Sequence, residues 1–129
     1  MTAGGDDRDS DGTMTARGVA RIHAVLLGHV DGVPLVSSGR LATMAAVAFT
    51  GMDQVMGFPS EWAFGYSPHR PGGVPSRLGS TFGMVGMNGS AAYADIDSGV
   101  AVAVMRNHFA ADGLTTVVRI DRIVAETLS

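Results

Sequence analysis

The chain has 129 residues, of which 46% are apolar and 16% charged, and this composition is typical of one globular domain or part of one. Its net charge is −3 and its nine basic residues, all arginine, form no cluster, which argues against nucleic-acid binding driven by phosphate contacts. The sequence contains neither cysteine nor lysine. Disulfides, thiolate metal sites, Schiff-base chemistry and a Ser-x-x-Lys nucleophile are therefore excluded within it.

Residues 1–13, MTAGGDDRDSDGT, are acidic and glycine-rich and predict a disordered leader before a folded part at 14–129. They lack the positive start and apolar middle of a secretory signal. Apolar runs such as 100–105 are far shorter than the roughly 20 residues that a bilayer-spanning helix needs. We expect a cytoplasmic location and no contact with membranes.

The first third of the chain predicts two helices. One starts after Thr15, whose hydroxyl can cap free amides, and stops at Gly28. Its apolar side consists of residues at helical spacing: Val19, Ile22, Val25 and Leu26. The second helix is predicted to start at Ser37 or Ser38 and to end at Gly51. A loop-rich middle follows, with a single strand at 61–66 and an exposed connection at 66–80.

The last third predicts a sheet and a final helix. Residues 81–96 form a glycine-rich extended segment, 97–99 a hairpin turn and 99–107 an apolar strand. From Leu114 apolar residues recur at helical spacing. Four charged residues of this helix are expected largely on its opposite side: Arg119, Asp121, Arg122 and Glu126. The element order predicts an α+β fold with helices packed on a small antiparallel sheet.

The most unusual stretch is 82–90, FGMVGMNGS, where Gly83, Gly86 and Gly89 interrupt an extended segment. Glycine within a strand often marks the close approach of a ligand or of another backbone. Free amides here, such as that of Met87, could face a developing oxyanion. The alternative is a bulged or kinked strand without a ligand. The spacing does not match a dinucleotide fingerprint.

Other polar residues give weaker signals. The four histidines show no metal-ligand spacing, and we expect no metal and no cofactor. His69 and His108 are predicted to be solvated loop residues. Turn chemistry accounts for Asp95 and Asp97. Trp62 is predicted to be a core residue or part of a pocket wall.

Six stretches of the chain carry a resemblance: MTARGVAR at 14–21, DGVPLVS at 31–37, EWAFGY at 61–66, FGMVGMNGS at 82–90, ADIDSGV at 94–100 and MRN at 105–107. In order and spacing they resemble the C-terminal third of serine hydrolases of the β-lactamase/penicillin-binding-protein superfamily. The nearest branch is that of the class C β-lactamase-like esterases, the family VIII carboxylesterases. The resemblance implies an incomplete β-lactamase-like, or transpeptidase-like, α/β domain.

The resemblance also implies a reaction, acyl transfer from a small-molecule ester or amide by way of an acyl-serine. A Lys-Thr-Gly or His-Gly-Gly motif on an edge strand lines the site in this family, and the amide after it supplies half of the oxyanion hole. By position this motif is Met84-Val85-Gly86, and the amide donor is that of Met87.

Two departures from the family limit what this chain can do. Met84 stands where the family has lysine or histidine, and methionine offers neither a charge nor a proton. The Ser-x-x-Lys and Tyr-x-Asn motifs are absent, and Ser90 has no activating partner at a catalytic spacing. We therefore expect no catalytic residue here and a C-terminal fragment that is inactive alone.

Two alternatives to the hydrolase fragment stay open, a non-catalytic interaction module and a truncated remnant. Both rest on the expectation of exposed apolar surface and an unpaired edge on the 81–96 strand, through which the chain would self-associate.

Overall fold

Three helices and two antiparallel sheets form the described part of the computed structural model, residues 13–73, 76–110 and 112–129. In chain order the elements are α1 (Ala16–Leu26), α2 (Ser38–Ala45), β1 (Phe49–Met52), β2 (Pro59–Trp62), β3 (Thr81–Val85), β4 (Ala91–Asp95), β5 (Val100–Val104) and α3 (Gly113–Leu128). The predicted α+β class is confirmed. Apart from Thr13, the predicted leader lies outside the described residues.

The helix caps follow the sequence prediction. Thr15 Oγ1 accepts a hydrogen bond from the Gly18 amide at 3.1 Å, and Ser37 Oγ accepts one from Arg40 N at 3.2 Å. Gly28, with φ of +79°, follows the end of α1. The predicted end of the second helix at Gly51 is wrong, since α2 ends at Ala45 and Gly51 pairs with β2. The β-branched and aromatic residues of 47–50 favour extended backbone there.

The predicted single strand at 61–66 is wrong as well. Only its first two residues belong to β2, which pairs with β1 in a separate two-stranded sheet. The chain then turns back, because Ala63 N donates to Tyr66 O at 2.9 Å and Gly65 adopts a φ of +78°. A four-residue strand such as β1 has too few residues for its alternation to be distinguished from loop sequence.

The larger sheet has the order β3-β4-β5. The segment 81–96, expected as one extended strand, is a hairpin of β3 and β4 that turns at 86–90, where Gly86 N donates to Ser90 O at 2.8 Å. The turn predicted at 97–99 is confirmed, since Gly99 N donates to Asp95 O at 2.9 Å. Asp95 also accepts hydrogen bonds from Ser80 Oγ at 2.7 Å and Ser98 N at 3.0 Å, so it serves the turn as predicted.

The three-stranded sheet lies between helices on both faces. Phe82 of β3 is fully buried on one face, where it stacks on His23 of α1 and joins Leu41 of α2 in the core. Neighbouring residues of a strand point to opposite faces, and Tyr93, which pairs with Gly83, therefore lies on the other face. There Tyr93 donates a hydrogen bond to Asp121 of α3. The C-terminal helix thus packs on the sheet, as expected.

The outer edge of β3 is partly covered. Ser67 N donates to Gly83 O at 2.7 Å, and Gly83 N donates back to Ser67 O at 3.2 Å. The unpaired edge expected for this strand is thus interrupted at its middle residue. Within the ranges the structure describes, no helix is both long and apolar enough to cross a bilayer.

Asp121 is the main departure from the pattern predicted for α3. The pattern places it largely opposite the apolar residues, but Asp121 is fully buried. Its Oδ1 accepts hydrogen bonds from Arg70 Nη2 at 2.7 Å and Nε at 2.9 Å and from the Tyr93 hydroxyl, and its Oδ2 accepts one from Gly72 N at 3.0 Å. The connection 66–80 is expected to be exposed, and this expectation is wrong for Arg70 and Gly72. These two residues lie at the buried carboxylate, because such a group needs hydrogen-bond partners.

The electrostatics of this cluster keep Tyr93 and Arg70 protonated. Burial raises the pKa of Tyr93 above its usual range, and the hydrogen bond and charge of Asp121 raise it further, so the hydroxyl remains a donor. Burial lowers the pKa of Arg70, but the hydrogen bond and charge of Asp121 outweigh it and the net shift is upward. Arg70 and Asp121 form a salt bridge whose side chains are 7% and 0% exposed.

We predict that Asp121→Ala lowers the free energy of unfolding by about 3–5 kcal/mol, because it leaves the Arg70 guanidinium buried without its counter-charge. The matched control is Asp97→Ala, which removes a comparable two-point contact to Arg77 from a pair whose side chains are 63% and 47% exposed. This control should change stability little, since solvent screens the pair. Urea unfolding measures both, and equal losses would contradict the assignment.

Candidate active-site cavity

A cavity of about 790 Å³ lies between the β1–β2 sheet and the outer end of β3. One wall consists of the four residues at which the sequence predicts the substrate-site strand and the oxyanion donor: Met84, Val85, Gly86 and Met87. The structure therefore brings all four residues to a single cavity of a size typical of small-molecule sites.

The first wall forms where β3 ends and the turn of the hairpin begins. Met84 is 44% exposed and Met87 is 74% exposed. Gly86 closes the hairpin, and Met87 follows it within the turn. Among the described residues, no acceptor is hydrogen-bonded to the Met87 amide. An amide without a protein acceptor at the margin of a cavity meets a requirement for an oxyanion donor.

The opposite wall comes from β2 and from the loop that precedes β3. Glu61 and Trp62 of β2 line the cavity together with Ser67 and His69. His69 Nε2 and Glu61 Oε2 lie 2.6 Å apart, and their side chains are 53% and 33% exposed. Trp62 is thus on a pocket wall, one of the two places predicted for it.

A carboxylate behind this wall holds Trp62 in place. Asp53 accepts hydrogen bonds from Val55 N and Met56 N, both at 2.9 Å, and its second oxygen accepts one from Trp62 Nε1 at 3.1 Å. The backbone hydrogen bonds from Met56 and Val55 are the main cause of a lowered Asp53 pKa, with burial opposing them. An ionised Asp53 therefore fixes both the loop and the indole.

The sequence alone indicated neither the His69–Glu61 pair nor the role of Asp53. His69 is predicted as a solvated loop residue, and it is half exposed, but its ring contacts a carboxylate eight residues earlier in the chain. The strand-and-turn geometry of β2 makes this contact, and the sequence carries no motif for it. Glu61 next to an aromatic residue is the only local signal.

The three glycines of 82–90 have different neighbours. A Cβ added at Gly83 would lie 2.5 Å from the Cβ of Tyr93, and one added at Gly89 would lie 2.9 Å from the Cα of Gly113. Close approach of another backbone, one of the two explanations offered by the sequence, therefore accounts for both positions. Gly86 alone lines the cavity.

Two hydroxyl groups outside the cavity, those of Ser90 and Tyr93, are hydrogen-bonded within the fold. Ser90 Oγ accepts a hydrogen bond from Arg106 N at 3.0 Å, and the Tyr93 hydroxyl is buried at Asp121, on the face opposite Phe82. Among the residues that the structure describes, no group of three or more histidine and acidic side chains is arranged to hold a metal ion.

Comparison of the chain with family models, with curated proteins and with solved structures gives no match. The resemblance to β-lactamase-like serine hydrolases therefore rests on the six stretches quoted above. The structure adds the position of the residues that this resemblance assigns to the family motif: Met84, Val85 and Gly86 line the cavity.

We predict that Gly113→Ala destabilises the protein by about 1–3 kcal/mol, because the new methyl group would overlap the Asn88 carbonyl, whose carbon lies 2.6 Å from it. It would also lie 2.8 Å from Arg106 Nη1, which is buried and has no hydrogen-bond partner among the described residues. Gly39→Ala in α2 is the control. There a Cβ meets open space, and helix propensity predicts a gain of up to about 1 kcal/mol. Thermal unfolding that ranks the two variants the other way would contradict the close packing of turn against helix.

Proposed function

We propose that this chain is the C-terminal portion of a β-lactamase-like serine hydrolase and that it supplies one wall of the acyl-transfer site. The observation that carries the proposal is the position of 84–87, which lines a cavity with a small-molecule volume. This segment includes the Met87 amide, which has no acceptor among the residues that the structure describes. The six stretches of sequence resemblance support it. The cytoplasmic location expected from the sequence remains a prediction.

In such a reaction a serine oxygen adds to the carbonyl carbon of an ester or amide, and the π electrons move onto the carbonyl oxygen. The bond to the leaving group then breaks, and water later releases the acyl group. The contribution of this chain is the Met87 N–H, which would stabilise the negative charge on that oxygen. The nucleophile and its base must come from residues outside this chain, and no cofactor is required.

A non-catalytic interaction module is the alternative that a second observation favours. The loop between β1 and β2 exposes three large apolar side chains: Val55 is 92% exposed, Met56 is 48% exposed and Phe58 is 51% exposed. Such a patch is typical of a surface that associates with a partner. Ser67 already occupies the middle of the β3 edge, so self-association would use this loop and not strand pairing at Gly83.

We predict that the purified chain, shown to be folded by circular dichroism, is not labelled by a fluorophosphonate probe. Among the described residues no serine hydroxyl is hydrogen-bonded to a histidine ring, and Ser80, whose hydroxyl donates to Asp95, is fully buried. The sequence has no lysine to act as the base. A known serine hydrolase in the same reaction serves as the positive control, and mass spectrometry maps any modified residue. Stoichiometric labelling of one serine would contradict the proposal, because an activated nucleophile would then exist within this chain.

A further inference from the structure

We infer that His69 is the general base that takes a proton from water in the second half of the reaction, the release of the acyl group. This inference rests on the proposed function for the identity of the site and goes beyond it by assigning a catalytic residue to this chain. The base that activates the serine lies outside the chain. The proton of the attacking water is a separate one, and it is removed at the cavity wall that holds His69.

The ring of His69 is oriented by Glu61. Its Nε2 lies 2.6 Å from Glu61 Oε2. A carboxylate only accepts hydrogen bonds, so the neutral ring carries its proton on Nε2 and its lone pair on Nδ1. Among the described residues, no group is hydrogen-bonded to the Nδ1 of His69. Nδ1 is therefore the atom from which this side chain can accept a proton.

The other side chains of the cavity lining are poorer candidates for this base. Among the described residues, the ionisable side chains that line the cavity are those of Glu61 and His69. A carboxylate is a weaker base than an imidazole, and one oxygen of Glu61 is already bonded to the ring. Met84 stands where the family has lysine or histidine, and its thioether does not take up a proton in water. The remaining histidines lie outside the lining: His23, His29 and His108.

Water has access to the pair, because the side chains of His69 and Glu61 are 53% and 33% exposed. The other wall of the same cavity carries Met87, whose amide has no acceptor among the described residues. A base and an oxyanion donor thus line one cavity from opposite walls. Its volume of about 790 Å³ admits an acyl group together with a water molecule.

In the assigned step the water oxygen adds to the carbonyl carbon of the acyl-serine while His69 Nδ1 takes up one water proton. The π electrons move onto the carbonyl oxygen, where the Met87 N–H stabilises the charge. Glu61 stabilises the imidazolium through its Nε2–H, as the carboxylate of a Ser-His-Asp triad does. The bond to the serine oxygen then breaks, and the proton passes from Nδ1 to that oxygen. The products are the free acid, the free serine and a neutral imidazole.

An acyl-serine is an ester, so an ester with a reactive leaving group tests this step in the chain by itself. We would measure hydrolysis of p-nitrophenyl acetate by the full chain and by His69→Gln, whose amide keeps a donor for Glu61. The substitution should lower the rate catalysed by the chain by at least about tenfold. The matched control is His108→Gln, which should leave the rate unchanged, since His108 is exposed and does not line the cavity.

Two further measurements distinguish a general base from a merely structural residue. Hydrolysis by the native chain should be at least about twofold slower in D₂O, because the water proton moves in the transition state, and His69→Gln should lose this difference. Glu61→Gln keeps the size of the side chain and removes the charge that stabilises the imidazolium. It should lower the rate by about threefold or more while the circular dichroism stays that of the native chain.

Three outcomes would overturn the inference. These are a native rate in His69→Gln, an equal loss in His69→Gln and His108→Gln, and an acetyl group found on His69 by mass spectrometry, which would make the imidazole a nucleophile. If His69→Gln does not fold, the native chain decides, since an equal rate in D₂O and H₂O would also overturn the inference. Fluorophosphonate labelling decides the proposed function separately, so the two failures are distinguishable.

Discussion

The carboxylate of Asp121 is the constraint on which the arrangement of the layers depends. It is fully buried and joins α3 to Tyr93 of β4 and to Arg70 and Gly72 of the preceding loop. A buried charge is tolerated only when its hydrogen-bond partners are complete, so the helix, the sheet and the loop must take up their positions together. Arg70 directly follows His69, and the anchoring of one therefore places the other at the cavity.

The shape of the cavity depends on this arrangement of helix, sheet and loop. His69 reaches Glu61 from a loop fixed on one side by Arg70 and on the other by the Ser67–Gly83 bridge. The first wall is held by the hairpin of β3 and β4, whose turn packs against the start of α3. Residues far apart in the sequence are thus positioned by the Arg70–Asp121 salt bridge and by the main-chain hydrogen bonds of Gly83 and Gly86.

The sequence predicts those parts of the fold that depend on local interactions. The caps at Thr15 and Ser37 and the turn at 97–99 each involve residues a few positions apart, and all are confirmed. The predicted C-terminal helix is present as α3, but of its predicted apolar residues only Val117 is fully buried. The strand β1 and the hairpin at 86–90 were missed because short strands differ little in composition from loops. Helical periodicity alone also predicts that every charged residue of α3 faces solvent. The burial of Asp121 depends on Arg70, which lies 51 residues earlier in the chain.

The candidate site likewise has one part that the sequence predicts and another part that it does not. The positions 84–87 follow from a resemblance in sequence, and the structure shows that they line one cavity. The His69–Glu61 pair and the Asp53–Trp62 hydrogen bond depend on how β2 folds against the loops, which no local pattern encodes.

The two walls of the cavity belong to different hydrogen-bonded ladders, since β1 and β2 share no strand with the β3-β4-β5 sheet. Residues 53–58 can therefore vary in sequence and length without disturbing the register of the larger sheet or the Asp121 cluster. In this chain the part that decides what fits the cavity is separable from the part that holds the fold together. Substitutions in this loop would thus change the cavity while leaving the Asp121 cluster and the larger sheet in place.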